Sequence, residues 1–236
     1  MGPSSAQSTT VGVGGPPLVR PAVVAQVADT IPESFGDDCV RVAVDGVDGA
    51  GKTVFADELA AELAARGRAV VRVSADDWHQ VRDLRYARGR TSPEGFWLDS
   101  YDYPRLRAEV LDPLGRGGSR DYRPRGHDLS SDEVLTGPLA HAPAGAVVLL
   151  DGLFLQRAEL EGCFELAIWL DVPFEETAAR MAVRDGSPPD PGHPSMRRYV
   201  EAQRTYFAER TPWERADVVV DNTDFAAPFV VTARFD

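Results

Sequence analysis

The residues Gly46-Val47-Asp48-Gly49-Ala50-Gly51-Lys52-Thr53 fit the spacing G-x-x-x-x-G-K-[ST] and carry the strongest chemical signal in the chain. A backbone that wraps a polyphosphate must aim successive N–H groups inward, and glycines permit the dihedrals and the close approach this needs. In such a loop Lys52 supplies a mobile positive charge for the β- and γ-phosphates and Thr53 a hydroxyl for Mg²⁺. The N-terminus of a following helix adds attraction for anions.

Phosphoryl transfer also needs a metal site, cations on the transferred group and something to orient the acceptor. Asp151 closes the apolar run Ala146-Val147-Val148-Leu149-Leu150, where a carboxylate serves as metal or metal-water ligand, or else as a helix N-cap. Asp76 and Asp77 follow the run from Ala69 to Ser74. Adjacent strand residues point to opposite faces, so one of the two reaches a site and can accept or orient a hydroxyl proton; capping the next segment is the other role. Arg180 and Arg184 lie four apart on one helical face, either facing phosphates or solvated. Arg82, Arg85, Arg88 and Arg90 form a basic segment, read as a solvated loop or as a contact for an anionic acceptor.

These groups need a scaffold of alternating strands and helices. Val40-Arg41-Val42-Ala43-Val44 reads as a strand entering the glycine loop, and Phe55, Leu59 and Leu63 recur at helical spacing up to a stop at Gly67. Further strands are expected over 69–73, 146–151, 166–171, 217–221 and 229–232. Helices are expected over 103–111, 174–184 and 197–209, with a hairpin in 121–138 and a short helix within 18–31. The order implies an α/β fold, a doubly wound parallel sheet with helices on both faces and polar site residues at the strands' C-terminal ends.

Bulk properties bound the partners. A chain of 236 residues accommodates one sizeable domain, here 18–236, behind a Gly/Ser/Thr/Pro-rich tail over 1–17 that reads as flexible. A net charge of −12 argues against a nucleic-acid surface. No apolar stretch approaches the ~20 residues that span a bilayer, so no membrane partner and a cytoplasmic location are expected. Cys39 and Cys163 show neither metal spacing nor a disulfide framework.

The segments resemble those of the uridine kinases and their P-loop kinase relatives: phosphoribulokinase, pantothenate kinase and nicotinamide riboside kinase. The glycine loop is similar to that family's version, and the likeness runs from about Val40 to Asp221. Ser74-Ala75-Asp76-Asp77-Trp78 resembles its S-x-D-x-aromatic segment, which favours Asp76 as the catalytic aspartate. Tyr101-Asp102-Tyr103-Pro104 is similar to its aromatic-Asp-x-Pro, which gives Asp102 the ribose hydroxyls. Tyr122 and His127 match the spacing of base-contacting residues in uridine-cytidine kinases; an exposed aromatic and a surface histidine are the plain alternative. Arg180 and Arg184 match arginines brought onto phosphate by a lid, placed here at about 180–198, and Arg198 and Gln203 are further substrate-side candidates.

The resemblance implies a P-loop NTPase fold with a small lid, ATP and Mg²⁺ as cofactors, a small-molecule acceptor and a homo-oligomer. The acceptor it favours is the 5′-hydroxyl of uridine or cytidine. Pantothenate, nicotinamide riboside or a specialised metabolite are alternative acceptors, and a nucleotide-operated regulatory ATPase is the alternative from another class. Two departures stand out: Asp151 occupies a position where uridine kinases usually have glutamate, and the lid segment 186–193 lacks basic residues apart from a histidine.

Overall fold

The structure, a computed structural model, describes residues 19–234. The expected tail over 1–17 lies outside the described residues.

Apolar runs build a six-stranded sheet from β1 (Val40–Gly46), β2 (Val70–Ser74), β3 (Val147–Asp151), β4 (Leu166–Asp171), β5 (Val218–Asp221) and β6 (Phe229–Ala233). Their order across the sheet is β6-β5-β4-β1-β3-β2. The first five strands are mutually parallel. The middle ones, β1, β3 and β4, are buried along nearly their whole length, which is why they read as continuous apolar runs without polar alternation.

The expected parallel sheet carries one antiparallel strand at its edge, where β6 runs antiparallel to β5. A parallel crossover needs a dozen or more residues, and the link over 222–228 is too short for one, so the chain turns back on itself.

Five longer helices flank the sheet: α1 (Arg20–Ala28), α2 (Lys52–Ala65), α3 (Pro93–Asp99), α4 (Phe174–Asp185) and α5 (Arg197–Arg210). Helix α1 packs on α2 and β6, and α2 covers β1, β2 and β3. Gly67 follows α2 at φ +81°, the left-handed conformation that ends a helix with least strain. Among the described residues no helix is long and apolar enough to cross a membrane.

The long excursion between β2 and β3 differs most from its sequence pattern. Residues 80–100, which include the basic segment from Arg82 to Arg90, carry a helical turn at Arg82–Arg85 and then α3. The helix expected over 103–111 starts as α-helix at Tyr103–Leu106 and widens into a π-helical turn at Arg107–Leu111. The hairpin region holds two nested ladders: Asp121–Tyr122 pairs with Ala140–His141, and His127–Asp128 with Glu133–Val134.

An aromatic layer ties this excursion to the sheet. The Phe154 ring lies 5.0 Å from Trp97, 5.3 Å from Tyr206 and 5.8 Å from Phe96. Phe154 and Tyr206 are each only 1% exposed. Burying side chains of this size contributes roughly 1.5–3 kcal/mol apiece. These contacts fix α3 and α5 as one wall beside the C-terminal ends of β1, β2 and β3.

Candidate active site

The glycine loop leaves β1 and enters α2 directly. Gly51 precedes that helix at φ +89°, and a Cβ there would meet Asn222 Nδ2 at 3.1 Å and the Phe225 ring at 3.4 Å. Backbone conformation and space therefore both demand glycine. Side chains from outside hold the loop: Asp48 N donates to Gln203 Oε1 at 2.9 Å, and Asn222 Nδ2 donates to the Ala50 carbonyl at 2.7 Å. Arg20 Nη1 in turn donates to Asn222 Oδ1 at 2.8 Å. The Lys52 ammonium lies back over its own loop, donating to the Val47 carbonyl at 2.8 Å.

Behind the loop, Asp45 is fully buried and accepts from Gly46 N at 2.8 Å and from the Tyr206 hydroxyl. Burial pushes its carboxyl up from 3.8 to about 6, partly offset by the Tyr206 hydrogen bond. The folded-state value exceeds the unfolded one, so the stability it contributes is full below about pH 4 and is lost as pH rises through about 6. That shift corresponds to about 3 kcal/mol. Asp45→Asn removes the titration, and denaturant unfolding from pH 4 to 8 should show the variant gaining on the parent as pH rises. A difference that stays flat over this range contradicts the assignment.

Sheet register sets the metal candidates. Asp151 sits opposite Val44 of β1 on one side and Ser74 of β2 on the other, between the glycine loop and the segment that follows β2. Thr53 Oγ1 donates to Asp151 Oδ2 at 2.7 Å, and Arg72 Nη2 reaches Asp151 Oδ1 at 2.9 Å. The chain runs from Asp151 into a turn without starting a helix, which removes the N-cap alternative. Gly152 allows the strand ends to approach closely: a Cβ there would stand 2.4 Å from Ala75 Cβ.

The two aspartates after β2 lie on the 3-10 turn Ala75–Trp78, past the end of the strand, so the expected strand alternation does not apply to them, yet they take different partners. Asp76 is exposed to the cavity and accepts from the Tyr101 hydroxyl at 3.1 Å, while Asp77 pairs with Arg125 at 2.8 Å. Desolvation lowers the pKa of the neighbouring His79, whose Nδ1 is 2.8 Å from the Asp76 carbonyl.

A cavity of about 740 Å³ opens over these groups. It brings together Asp48, Gly49, Gly51, Lys52, Thr53 and Asp151 from the loop side with Asp76 beyond them. Arg180, Arg184 and Arg198 also reach it. Gly46, Val47 and Ala50 complete the loop's backbone behind its lining. Arg180 Nη2 donates to the Asn222 and Thr223 carbonyls, both at 2.7 Å, and Arg184 lies 3.9 Å from Asp48 while pairing with Asp185 at 2.8 Å.

Four expected acceptor residues do not line the cavity. The Asp102 carboxylate caps the turn at Tyr103–Leu106 by accepting from Arg105 N at 3.1 Å. Tyr122 packs half-buried against the core. His127 is 1% exposed, with Nε2 3.2 Å from Asp132, so it is neither a surface histidine nor a cavity group. Gln203 serves the glycine loop through Asp48 N, with its amide donating to the Tyr199 carbonyl at 3.0 Å.

Residues that sequence reasoning missed reach the cavity instead, notably His79, Tyr86, Phe96 and Tyr101. Arg72 had a signal, being a cation in an otherwise apolar strand. Tyr101 had one only through the segment read for Asp102.

No family model and no curated protein sequence matches the chain. Solved structures do resemble it. A possible uridine kinase from Bacillus stearothermophilus superposes with a TM-score of 0.66 at 22% identity, over 84% of this chain and 97% of that one. A candidate fructose transport system kinase from Silicibacter sp. TM1040 gives 0.63 at 21%, over 83% and 98%. Phosphoribulokinase from Rhodobacter spheroides gives 0.50 at 14%, over 77% and 70%. Together with the loop between β1 and α2 and the strand order, these likenesses show that the chain has the α/β P-loop fold that these structures share.

Proposed function

We propose that the protein is a small-molecule kinase that uses ATP and Mg²⁺ and phosphorylates an alcohol. The observation that carries this reading is the convergence, on one cavity, of the glycine loop with Lys52, the Thr53–Asp151 pair and the exposed carboxylate of Asp76. A nucleotide-operated switch has no need of a carboxylate and an aromatic-lined chamber beyond the phosphate loop.

The residues fit both cofactors. Gly49 and Gly51, which line the cavity in the left-handed region at φ +77° and +89°, leave bare backbone of the kind that cradles phosphates. Thr53 and Asp151 offer hard oxygen ligands suited to Mg²⁺, which neutralises developing charge on the β- and γ-phosphates when bound. Lys52 swings from the Val47 carbonyl onto phosphate. Arg184, already at the cavity mouth, adds positive charge, and 180–198 is the segment we assign as the lid. Asp76, steadied by Tyr101, receives or orients the acceptor proton.

For the acceptor, uridine and cytidine are the choices that the sequence resemblance favours. Their recognition set of Asp102, Tyr122 and His127 is engaged elsewhere, so support for a nucleoside falls while support for kinase chemistry stands. An ADP-release assay with ATP·Mg²⁺ and a panel of nucleosides, pantothenate, hydroxy acids and sugar phosphates tests the reading. Release stimulated by one acceptor class is expected. In the same assay Asp151→Asn should raise the Mg²⁺ requirement about 10–100-fold; an unchanged Mg²⁺ profile removes Asp151 from the metal site.

A further inference from the structure

The phosphate loop does not explain a second cationic end of the cavity. Arg85 and Arg198 both line it, and they are only 5% and 7% exposed. They come from separate elements, the turn Arg82–Arg85 and the first turn of α5, yet converge on one ring: their guanidinium carbons stand 5.2 and 4.7 Å from the centroid of Tyr86. Arg198 also lies 5.1 Å from the Phe96 centroid. In each arginine, Nε is buried with no hydrogen-bond partner among the described residues.

Counter-charge is scarce around both groups. The nearest carboxylate to Arg85 is Asp132 at 3.6 Å, which already accepts from Arg82 N at 3.0 Å and lies 3.2 Å from His127 Nε2. Arg198 has no ion pair among the described residues; its Nη1 donates to the Arg90 carbonyl at 2.6 Å. Helix α5 has no acidic residue in its first turn, so the positive end of its dipole adds to the charge of Arg198. A buried guanidinium with no carboxylate, as at Arg198, or with one already shared with Arg82 N and His127, as at Arg85, is costly, and a fold that holds both at one cavity wall is arranged for an anion. The aromatic surroundings strengthen the pairing by excluding water.

We propose that Arg85 and Arg198 bind an anionic group on the acceptor, so that the substrate is an alcohol bearing a carboxylate or a phosphate. This rests on the kinase reading. The anion is held at the Tyr86 end while the hydroxyl meets Asp76. The hydroxyl oxygen forms a bond to the γ-phosphorus, and the bond from that phosphorus to the β,γ-bridging oxygen breaks. ADP leaves with the electron pair, and the hydroxyl proton passes to Asp76 and on to solvent.

The test uses the ¹⁵N-labelled full chain saturated with AMP-PNP·Mg²⁺, titrated separately with inorganic phosphate and with acetate while the arginine Nε–H resonances are followed. Arg85→Lys and Arg198→Lys assign the two signals. Saturable shifts at both are expected, with affinity for the preferred anion at least ~10-fold weaker in Arg198→Gln. If that variant does not fold, Arg198→Lys, which keeps charge but loses the planar fork, should weaken binding in the same sense. The tighter anion identifies the class, phosphate or carboxylate.

No shift with either anion overturns the proposal, as does a shift that AMP-PNP·Mg²⁺ abolishes, which would assign both arginines to the nucleotide. Turnover with uridine that is indifferent to Arg198→Lys overturns it while leaving the kinase reading intact. Failure of AMP-PNP·Mg²⁺ to bind, seen separately at the loop amides, takes down the kinase reading and this proposal together.

Discussion

Replacing Lys52 with alanine is expected to lower turnover about 10²–10³-fold while leaving the fold in place. Among the described residues the ammonium hydrogen-bonds only to the carbonyl of Val47, a residue of its own loop, so its removal strands no buried carboxylate through a direct contact. Its distinctive contribution comes when charge builds on the β- and γ-phosphates, a transition-state demand that backbone amides alone meet less well. Steady-state kinetics should show the loss mainly in kcat, with a circular dichroism melt close to that of the parent. A variant that retains most of its turnover would place the phosphoryl group somewhere other than this loop.

Asp76→Asn carries the second large effect. General-base assistance contributes typically 10²–10⁴-fold, and the loose character of phosphoryl transfer places this case toward the lower end, about 10²-fold in kcat. The substitution is nearly isosteric, and the amide oxygen can still accept from the Tyr101 hydroxyl, so the wall around it should persist. KM for ATP is expected to stay within about twofold, since Asp76 lies beyond the loop's own backbone. Asp77→Asn serves as the control: that carboxylate is held by Arg125 outside the cavity, and its loss should leave kcat near the parent value. Equal effects at the two positions would contradict the division of roles.

The glycine loop and its flanking strand and helix are legible in the sequence because every feature involved is local. A buried parallel strand shows as an apolar run, and the helix shows its spacing and its terminal glycine. The antiparallel course of β6 follows from the same kind of local fact, a link too short for a crossover, and reading strand types alone overlooks it. Asp76 and Asp151 are legible as carboxylates at strand ends. Their relation to each other depends on β3 inserting between β1 and β2, which no short-range pattern encodes.

The acceptor side is where sequence reading fails, for a physical reason. A spacing such as that between Tyr122 and His127 says nothing of which way a nested hairpin faces, and in this chain it turns His127 into the protein interior against Asp132. Arg85, in a segment that reads as a solvated loop or as a contact for an anionic acceptor, and Arg198, a substrate-side candidate by resemblance, are not paired with each other by any pattern in the sequence. Only tertiary packing around Tyr86 and Phe96 buries them. Asn222 is similar: a polar residue after a strand is unremarked until Arg20, from the far end of the chain, is seen to hold it against the glycine loop.

The central claim is transfer of the γ-phosphoryl group from ATP to an organic hydroxyl, and following the fate of that group tests it most directly. The full chain is incubated with γ-³²P-labelled ATP, Mg²⁺ and the panel of hydroxy acids, sugar phosphates and nucleosides, and the label is then separated into inorganic phosphate and organic phosphomonoester. Label accumulating in a phosphomonoester with the parent chain, and not with Lys52→Ala, is the expected result. Label found only in inorganic phosphate, at a rate that no acceptor raises, would contradict it and make the protein a nucleotide hydrolase.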